Sequence, residues 1–539
     1  MVVSAHRLAS EAGVEVLRRG GNAVDAAIAV AYALAVTYPA AGNLGGGGFM
    51  TVQLADGRRD FIDFREQAPQ AASADMYLDA SGEPLPGRST EGWLAVAVPG
   101  TVAGLELARE RFGSRPRSEL LAPAIRLARE GFALDQGDVD MLATATAAFR
   151  RDPASAAIFL HDGQPWQAGE RLLQSDLART LERIASEGGA GFYHGPVAAA
   201  LVAASQAGHG ILAQTDLDHY QARERKPVEC DYRGYHVVSA PPPSSGGTIL
   251  CEMLNVLQGY PLAALGWHSA QGVHFQIEAM RHAYVDRNNF LGDPDFVANP
   301  VARLLSPEYA ARVRNAIDPA HAADSHALRA GEAPHEGSNT THFSVIDRDG
   351  NAVALTYTLN NWFGAHVTAT GTGVLMNDEM DDFAVKPGAP NLYGLVQSAT
   401  NAIAPGKRPL SSMTPTIVSR DGQPVLVLGT PGGSMITTSV LQVMLNVIDY
   451  GMTVQEAVDA PRFHQQWLPP TTRLEPFALS ADSRRLLEAM GQQFSNGAPA
   501  NHVAAILVGG PALDRPGPPG MRYFGANDPR HGTGAALGY

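Results

Sequence analysis

The sequence has few cysteines, an excess of acidic over basic residues and no long apolar run, and each shortage excludes a class of protein. Two cysteines, Cys230 and Cys251, are too few for a disulfide-rich scaffold. They can form one disulfide or pack as two small hydrophobes, and the second interpretation is preferred. The 40 Lys and Arg against 54 Asp and Glu give a formal net charge of -14. Because polyanions are bound by clustered cations, no nucleic-acid partner is expected.

The apolar segments are too short for a membrane protein. The longest run, 26–36, has about eleven residues, whereas a spanning helix needs roughly twenty. No charged-then-apolar export signal opens the sequence, which enters a helical pattern at Leu8. The sequence also lacks metal-ligand spacing and tandem repeats. We therefore expect no membrane span, no metal and no cofactor.

The remaining composition is that of an ordinary globular protein. Of the 539 residues, 45% are hydrophobic and 17% charged, and no Pro/Ser-rich linker or charge run divides them. Helical patterns dominate the first half, whereas alternating apolar residues typical of strands follow Thr340. The Asp349-Gly350 turn predicts a hairpin there. The sequence predicts one large unit that contains both helices and sheets.

Asn339 and Thr340 stand where a nucleophile could be generated by chain cleavage. If the Thr340 hydroxyl attacked the Asn339 carbonyl and the resulting ester were hydrolysed, a new chain would begin with a threonine. That residue would hold a nucleophile and a base, its own α-amine, together. Two alternatives remain open for this motif alone, because Asn339-Thr340-Thr341 also fits a β-strand and a glycosylation acceptor site.

Several segments resemble the γ-glutamyltransferase (γ-glutamyltranspeptidase) family of N-terminal nucleophile hydrolases, in the family's order. Those from Thr340 onwards keep ungapped spacing, and the match covers nearly the whole chain. The matching segments are 21–27, 45–48, 63–66, 340–342, 356–360, 377–383, 407–413 and 429–434.

The resemblance implies a fold of the α+β class, a four-layer αββα sandwich. It further implies a single intertwined unit made of two chains after self-cleavage between Asn339 and Thr340. Residues 1–339 would form a helix-rich large subunit that supplies Arg65. Residues 340–539 would form a strand-rich small subunit that begins with Thr340 and carries a lid loop at about 387–398, with Tyr393 among its substrate-binding residues.

The resemblance assigns the chemistry of an amide-cleaving site to four residues. Thr340 would be the nucleophile, and the Thr358 hydroxyl would orient its amine. Gly432 and Gly433 would supply backbone N–H groups to the oxygen that becomes negative, since glycines before a helix expose consecutive donors.

A γ-glutamyl group ends in a carboxylate and an ammonium on one carbon, and a pocket must satisfy both charges. Arg65 would bind the carboxylate through its two-pronged guanidinium, with the Ser411 and Ser412 hydroxyls donating to the same oxygens. The predicted acceptors for the ammonium are Asn360, Glu379 and Asp382.

The expected activity is a self-processing γ-glutamyltransferase with glutathione hydrolase activity, which passes the γ-glutamyl group to water, an amino acid or a dipeptide. Two alternatives are a glutaryl/cephalosporin-type acylase on the same scaffold and a non-catalytic binding homologue. The resemblance implies a periplasmic or secreted protein, although a cytoplasmic one is not excluded. His366 and Asp378 depart from residues common in the family and are expected to act on acceptor preference or pH dependence without touching a predicted site residue.

Overall fold

The computed structural model describes residues 1–328, 340–388, 398–498, 501–530 and 532–539. Two antiparallel sheets pack face to face, and helices cover the outer face of each sheet. This is the four-layer αββα sandwich of the N-terminal nucleophile hydrolase type, as the sequence predicted. Within the described part of the chain, no helix is long and apolar enough to cross a membrane.

The first sheet contains the strand that follows Thr340. Among the described residues seven strands form it, and all neighbours run antiparallel. In spatial order they are Ala535–Leu537, Val2–Ser4, Thr341–Ile346, Ala352–Thr358, Gly47–Gln53, Arg59–Phe64 and Arg223–Arg225. The sheet thus joins segments that lie hundreds of residues apart, and its first two strands come from the two ends of the chain.

The second sheet carries the predicted oxyanion loop at the end of one strand. In the described ranges it has six antiparallel strands. Their order is Tyr523–Asn527, Ala504–Val508, Gln423–Gly429, Thr416–Arg420, Tyr235–Ser239 and Val228–Tyr232.

Small and β-branched side chains fill the space between the sheets. Val3, Ile346 and Ala354 of the first sheet meet Ile417 and Val427 of the second, and all are buried. Because strands alternate their side chains between two faces, the opposite faces of the same strands contact the helices. The sequence pattern therefore accounts for a core on both sides of each sheet.

The outer face of the first sheet is covered by helices from the first 220 residues. The central one, Ala23–Thr37, is buried along its whole length, and Asn22 closes its N-terminus with Asp25 in a capping box. The other helices on this side are Arg7–Arg18, Thr101–Phe112, Arg117–Glu130, Gln136–Ala143, Thr146–Phe149, Pro153–Phe159, Ser175–Glu187, Ala190–Tyr193, Gly195–Ala207 and Gln214–His219.

The second sheet is covered by helices drawn from both halves of the sequence. Gly246–Leu257 packs on the sheet and against Ala270–Phe290 and Met435–Ile448. The remaining helices of this half are Leu262–Leu265, Val301–Leu304, Pro307–Ala316, Val454–Asp459 and Ala481–Ala489. The short strands outside the two sheets are Phe132–Ala133, Arg171–Leu172, Thr368–Ala369, Val374–Leu375, Phe463–His464, Thr472–Leu474 and Phe494–Asn496.

Cys230 and Cys251 form a disulfide, so the preferred interpretation as two unlinked hydrophobes was wrong. Cys230 lies in the edge strand of the second sheet and Cys251 in the helix that packs on it. Their Cα atoms are 5.8 Å apart, within the range that a disulfide spans. The reason for the error is that proximity depends on how the helix returns over the sheet, which a separation of 21 residues does not reveal.

Candidate active site

The predicted nucleophile lies at one end of the first sheet, opposite Thr358. Thr340 directly precedes the strand Thr341–Ile346, and that strand pairs with Ala352–Thr358 so that Thr341 faces Tyr357. The register therefore brings Thr340 beside Thr358, and the Thr340 hydroxyl donates to the Thr358 hydroxyl over 3.4 Å. Both residues are buried. The hairpin that the sequence predicted thus brings together the two threonines, which are eighteen residues apart.

The Thr358 hydroxyl is held by the turn that follows its strand. The Asn360 backbone N–H donates to Thr358 Oγ1 over 2.9 Å, and Asn360 has a φ of 76°. The Asn360 side-chain nitrogen donates to the Asp378 carbonyl over 3.0 Å. This bond fixes the orientation of the carboxamide and directs its oxygen away from that carbonyl. Asn43 also donates to the Thr358 carbonyl over 2.8 Å.

Asp378, one of the two unusual residues, supports this turn. Its buried carboxylate accepts from the backbone N–H of Asn361 over 2.9 Å and from the Asn361 side chain over 3.2 Å. Burial raises the pKa of Asp378 well above its usual value, and the Asn361 N–H partly opposes this shift. His366, the other unusual residue, lies in the same loop with a φ of 59°, and burial lowers its pKa. Both residues therefore shape the loop next to Asn360.

Gly432 and Gly433 follow the strand Gln423–Gly429 and precede the helix Met435–Ile448. Their φ values of 129° and 56° lie in the region that favours glycine. A Cβ built on Gly432 would lie 2.2 Å from Asn501 Oδ1. Backbone angle and available space thus both require glycine at 432, and Gly433 lines the same cavity as Thr340.

Arg65 is fully buried and pairs with two of the three predicted ammonium acceptors, Glu379 and Asp382. Its Nη1 donates to Glu379 Oε1 and its Nη2 to Asp382 Oδ2. Glu379 and Asp382 belong to the 3₁₀ helix Glu379–Asp382, and Nε of Arg65 donates to the Pro409 carbonyl over 3.2 Å. The residues expected to bind opposite charges of one ligand are therefore in direct contact with each other.

Burial and charge compete in this cluster. Burial disfavours the charged guanidinium, yet the carboxylates of Glu379 and Asp382 raise the pKa of Arg65 above its ordinary value. Burial raises the pKa of Glu379 well above normal, against the opposing effect of Arg65. It also raises the pKa of Glu66 to about 7, and Glu66 lies 3.6 Å from Arg65 Nη1. The three carboxyl groups therefore share one cation in a dry environment.

Ser411 and Ser412 complete one wall of the cavity. Met413 N–H donates to Ser411 Oγ over 3.1 Å, and Arg287 Nη2 donates to Ser412 Oγ over 3.1 Å. The cavity is lined by Arg65, Arg287, Thr340, Thr358, Asn360, Glu379, Asp382, Leu410, Ser411, Ser412, Met413, Gly433, Ser434 and Ile436. The structure thus collects in one place nearly every site residue named from the sequence.

Two predicted residues, Asn339 and Tyr393, lie outside the described residues, as does most of the predicted lid loop. Three contributors were not predicted: Glu66, Arg287 and Asn43. Glu66 was visible only as the neighbour of Arg65, and Asn43 precedes the Gly45–Gly48 run. Arg287 stands among Asp286, Asn288 and Asn289 near the end of the helix Ala270–Phe290, so its polar sequence context gave no signal that it is buried.

A buried threonine at the head of a strand, inside an αββα sandwich and lining one cavity with Gly433, defines the class of N-terminal nucleophile hydrolases. A family model described as Gamma-glutamyltranspeptidase matches residues 9–538. The chain belongs to the gamma-glutamyltranspeptidase family.

Individual relatives agree with this assignment. The chain is 64% identical to a glutathione hydrolase proenzyme of Pseudomonas sp. (strain A14) over 540 residues, covering 100% of this chain and 94% of that protein. It is 46% identical to the glutathione hydrolase proenzyme of Escherichia coli (strain K12), covering 100% and 92%. Its fold is similar to the crystal structure of cephalosporin acylase from Bacillus halodurans, with a TM-score of 0.84 and 27% identity, covering 100% of this chain and 96% of that one.

Proposed function

We propose that this chain is a self-processing γ-glutamyltransferase that also hydrolyses glutathione, with Thr340 as its nucleophile. The observation that carries the proposal is the common cavity. Thr340, in contact with Thr358, faces the same space as Arg65, Glu379 and Asp382. An amide-cleaving group and a site for a zwitterionic amino acid head thus lie within one small enclosure. Two relatives named glutathione hydrolase proenzyme, at 64% and 46% identity, support the same activity.

Processing would begin when Thr340 Oγ1 attacks the Asn339 carbonyl carbon. The Asn339–Thr340 C–N bond breaks, an ester forms, and the Thr340 nitrogen takes up the hydroxyl proton as it becomes an amine. Water then cleaves the ester, which restores the hydroxyl and leaves a carboxylate on Asn339. Residues 1–339 become the large subunit and 340–539 the small subunit.

In turnover the new α-amine acts as the base. Its pKa in model compounds is about 7.7 to 8.0, so a fraction is unprotonated at neutral pH and can accept the Thr340 hydroxyl proton. Thr340 Oγ1 attacks the γ-carbonyl carbon, and the Gly432 and Gly433 N–H groups donate to the developing oxyanion. The leaving amine takes the proton, and a γ-glutamyl ester remains on Thr340. Water or the amine of an amino acid or dipeptide then accepts the γ-glutamyl group.

The donor's amino acid head would be held by the charged cluster. Its α-carboxylate would bind Arg65 together with the Ser411 and Ser412 hydroxyls, and its ammonium would bind Glu379, Asp382 and the Asn360 oxygen. The zwitterionic head would separate Arg65 from Glu379 and Asp382. Its carboxylate would then pair with Arg65, and its ammonium with the two carboxylates. No buried charge is then left without a counter-charge.

The remaining assignments complete the proposal. Tyr393, in the loop at about 387–398, would cover the bound donor, which suits small peptides. Export to the periplasm or the medium is favoured by the Cys230–Cys251 disulfide, since such bonds persist in oxidising compartments.

A cephalosporin-type acylase is the second candidate, favoured by the structural similarity to the Bacillus halodurans acylase. A glutaryl group lacks the α-amine, so it would leave Glu379 and Asp382 without a cationic ligand group. For that reason the γ-glutamyl donor is preferred.

The test is to incubate the protein with glutathione, with and without glycylglycine, and to identify the products. We expect glutamate without the dipeptide and γ-glutamyl-glycylglycine with it. Thr340→Ala should stay a single chain on a denaturing gel and be inactive. Thr341→Val is the matched control, because the buried Thr341 hydroxyl makes no hydrogen bond to the described residues, and it should process and turn over normally. Active native protein whose only N-terminus is Met1 would refute the proposal.

A further inference from the structure

A second arginine, Arg287, lines the cavity and contacts Ser412. It belongs to the last turn of the helix Ala270–Phe290 and is 1% exposed. Its guanidinium contacts three neutral oxygens: Ser245 Oγ at 3.0 Å, Asn288 Oδ1 at 2.9 Å and Ser412 Oγ at 3.1 Å. Because the guanidinium is planar, these three hydrogen bonds together fix its orientation.

The contact with Ser412 determines what the serine hydroxyl can do. A guanidinium donates hydrogen bonds and accepts none, so Ser412 Oγ must be the acceptor. The hydroxyl proton then points away from Arg287. Because Ser412 also lines the cavity, this proton can be donated to an anionic group bound there.

Arg287 reaches Ser411 through a relay. Its Nε donates to Ser245 Oγ, and the Ser245 hydroxyl donates to the Ser411 carbonyl over 2.7 Å. The Ser245 backbone N–H binds the same carbonyl over 2.8 Å. The Ser411 hydroxyl is itself an acceptor from Met413 N–H, so its proton is also left for a ligand. One guanidinium thus braces both serines.

We propose that Arg287 is a positioning residue that presents the Ser411 and Ser412 hydroxyls as donors to the substrate α-carboxylate, and thereby selects donors that carry this group. The inference rests on the proposed function. It adds to that function a residue which acts through the two serines. Arg287 sets the direction of the Ser412 hydroxyl proton and, through Ser245, holds the backbone of Ser411 in place.

The experiment measures competitive inhibition of γ-glutamyl-p-nitroanilide turnover by two ligands that differ only in the α-carboxylate, L-glutamate and 4-aminobutyrate. In Arg287→Gln the inhibition constant of L-glutamate should rise roughly ten- to hundredfold, the range for lost hydrogen bonds to a charged group. That of 4-aminobutyrate should change less than about threefold. The Michaelis constant for γ-glutamyl-p-nitroanilide should rise by a similar factor to the inhibition constant of L-glutamate, while kcat changes less.

Arg281→Gln is the matched control. Arg281 lies in the same helix, is equally buried, and contacts Ser325 and Gln492 rather than the two serines. It should leave the ratio of the two inhibition constants at the native value. Equal shifts for both ligands in Arg287→Gln, or no shift for either, would overturn the inference.

Arg287→Lys keeps the positive charge but lacks the planar, multidentate donors of a guanidinium. It therefore provides the same test if Arg287→Gln does not undergo chain cleavage. Its effect on glutamate binding should be largely absent in a Ser412→Ala background, since the two residues act as a unit. If the fold-changes in glutamate inhibition constant caused by Arg287→Lys and by Ser412→Ala multiply in the double variant, the two residues do not act as a unit. Native protein without γ-glutamyl turnover would instead refute the proposed function itself.

Discussion

At the scale of one residue, the charge of Arg65 is paired with the buried side chains of Glu379 and Asp382. Arg65→Ala should raise the Michaelis constant for γ-glutamyl-p-nitroanilide by roughly tenfold to a hundredfold, the range for lost charged hydrogen bonds. Arg59→Ala is the control, since Arg59 begins the strand that ends just before Arg65 and forms a part-exposed pair with Glu229. An unchanged Michaelis constant in Arg65→Ala would exclude a carboxylate clamp.

Because Glu66 is buried, we expect its ionisation to make the free energy of unfolding depend on pH. Its pKa rises from 4.5 to about 7, chiefly through burial. Between these two values the folded protein binds more protons than the unfolded chain, so ionisation of Glu66 lowers stability as pH rises. Glu66→Gln has no such penalty. The melting temperature of the variant, relative to that of native protein, should increase from pH 4.5 to pH 7 and then level off. The expected gain is on the order of 1–3 kcal/mol, and a constant difference over this range would contradict it.

At this scale the sequence predicted residue identities better than their contacts. Thr340 and Thr358 could be paired from the alternating pattern and the Asp349-Gly350 turn, because a hairpin fixes register locally. The ion pairs of Arg65 join residues 314 and 317 positions apart, and no local rule gives such a separation. Arg287 was missed for the same reason, since its serine partners are 42 and 125 residues away.

At the scale of elements, His342 lies between the strand that follows Thr340 and the strand that leads to Gly432, and it sets their spacing. This histidine projects from the strand Thr341–Ile346, and its two ring nitrogens contact Thr356 and Ser344. Burial lowers its pKa to about 3, so the ring is neutral. It lies directly against Gly429, the last residue of the strand that leads to Gly432.

Gly429→Ala should disturb this spacing. The added Cβ would lie 2.4 Å from Cε1 of His342, and the ring cannot move without losing its hydrogen bonds. We expect a loss of about 1–3 kcal/mol of stability, as for overpacked cores, together with a lower kcat as Gly432 and Gly433 shift. Thermal melting and turnover measure the two effects. Gly189→Ala is the control because its Cβ meets only ordinary van der Waals contact, and equal behaviour of both variants would argue against the spacer role.

Element boundaries followed the sequence closely where capping and turn residues are strong. Asn22 before the buried helix Ala23–Thr37 is one case, and the strand ending at Gly429 is another. The helix that follows the prolines at 241–243 begins at Gly246, after Ser245, whose side chain makes no capping hydrogen bond. There the loop is braced by contacts to the Ser411 segment rather than by local preference.

For the whole molecule, the four-layer fold was predicted through family resemblance, while the order of the strands was not. The first sheet places Thr341–Ile346 between Val2–Ser4 and Ala352–Thr358, and Ala352–Thr358 lies next to Gly47–Gln53. Strands that precede the Asn339–Thr340 bond and strands that follow it are therefore hydrogen-bonded to each other within one sheet. Among the described residues no ladder hydrogen bond depends on that bond, so the two products should elute as one species and separate only in denaturant.

The pairing of the first strand with the last has a consequence for protein engineering. Val2 lies opposite Leu537, so a short peptide could join the two ends and create a circularly permuted chain that starts at Thr340. After removal of the initiator methionine, this permutant should carry the threonine α-amine from the outset and turn over γ-glutamyl-p-nitroanilide without any maturation delay. The same permutant with Thr340→Ala should be inactive. A well-folded permutant without activity would mean that scission contributes more than the exposure of an amine.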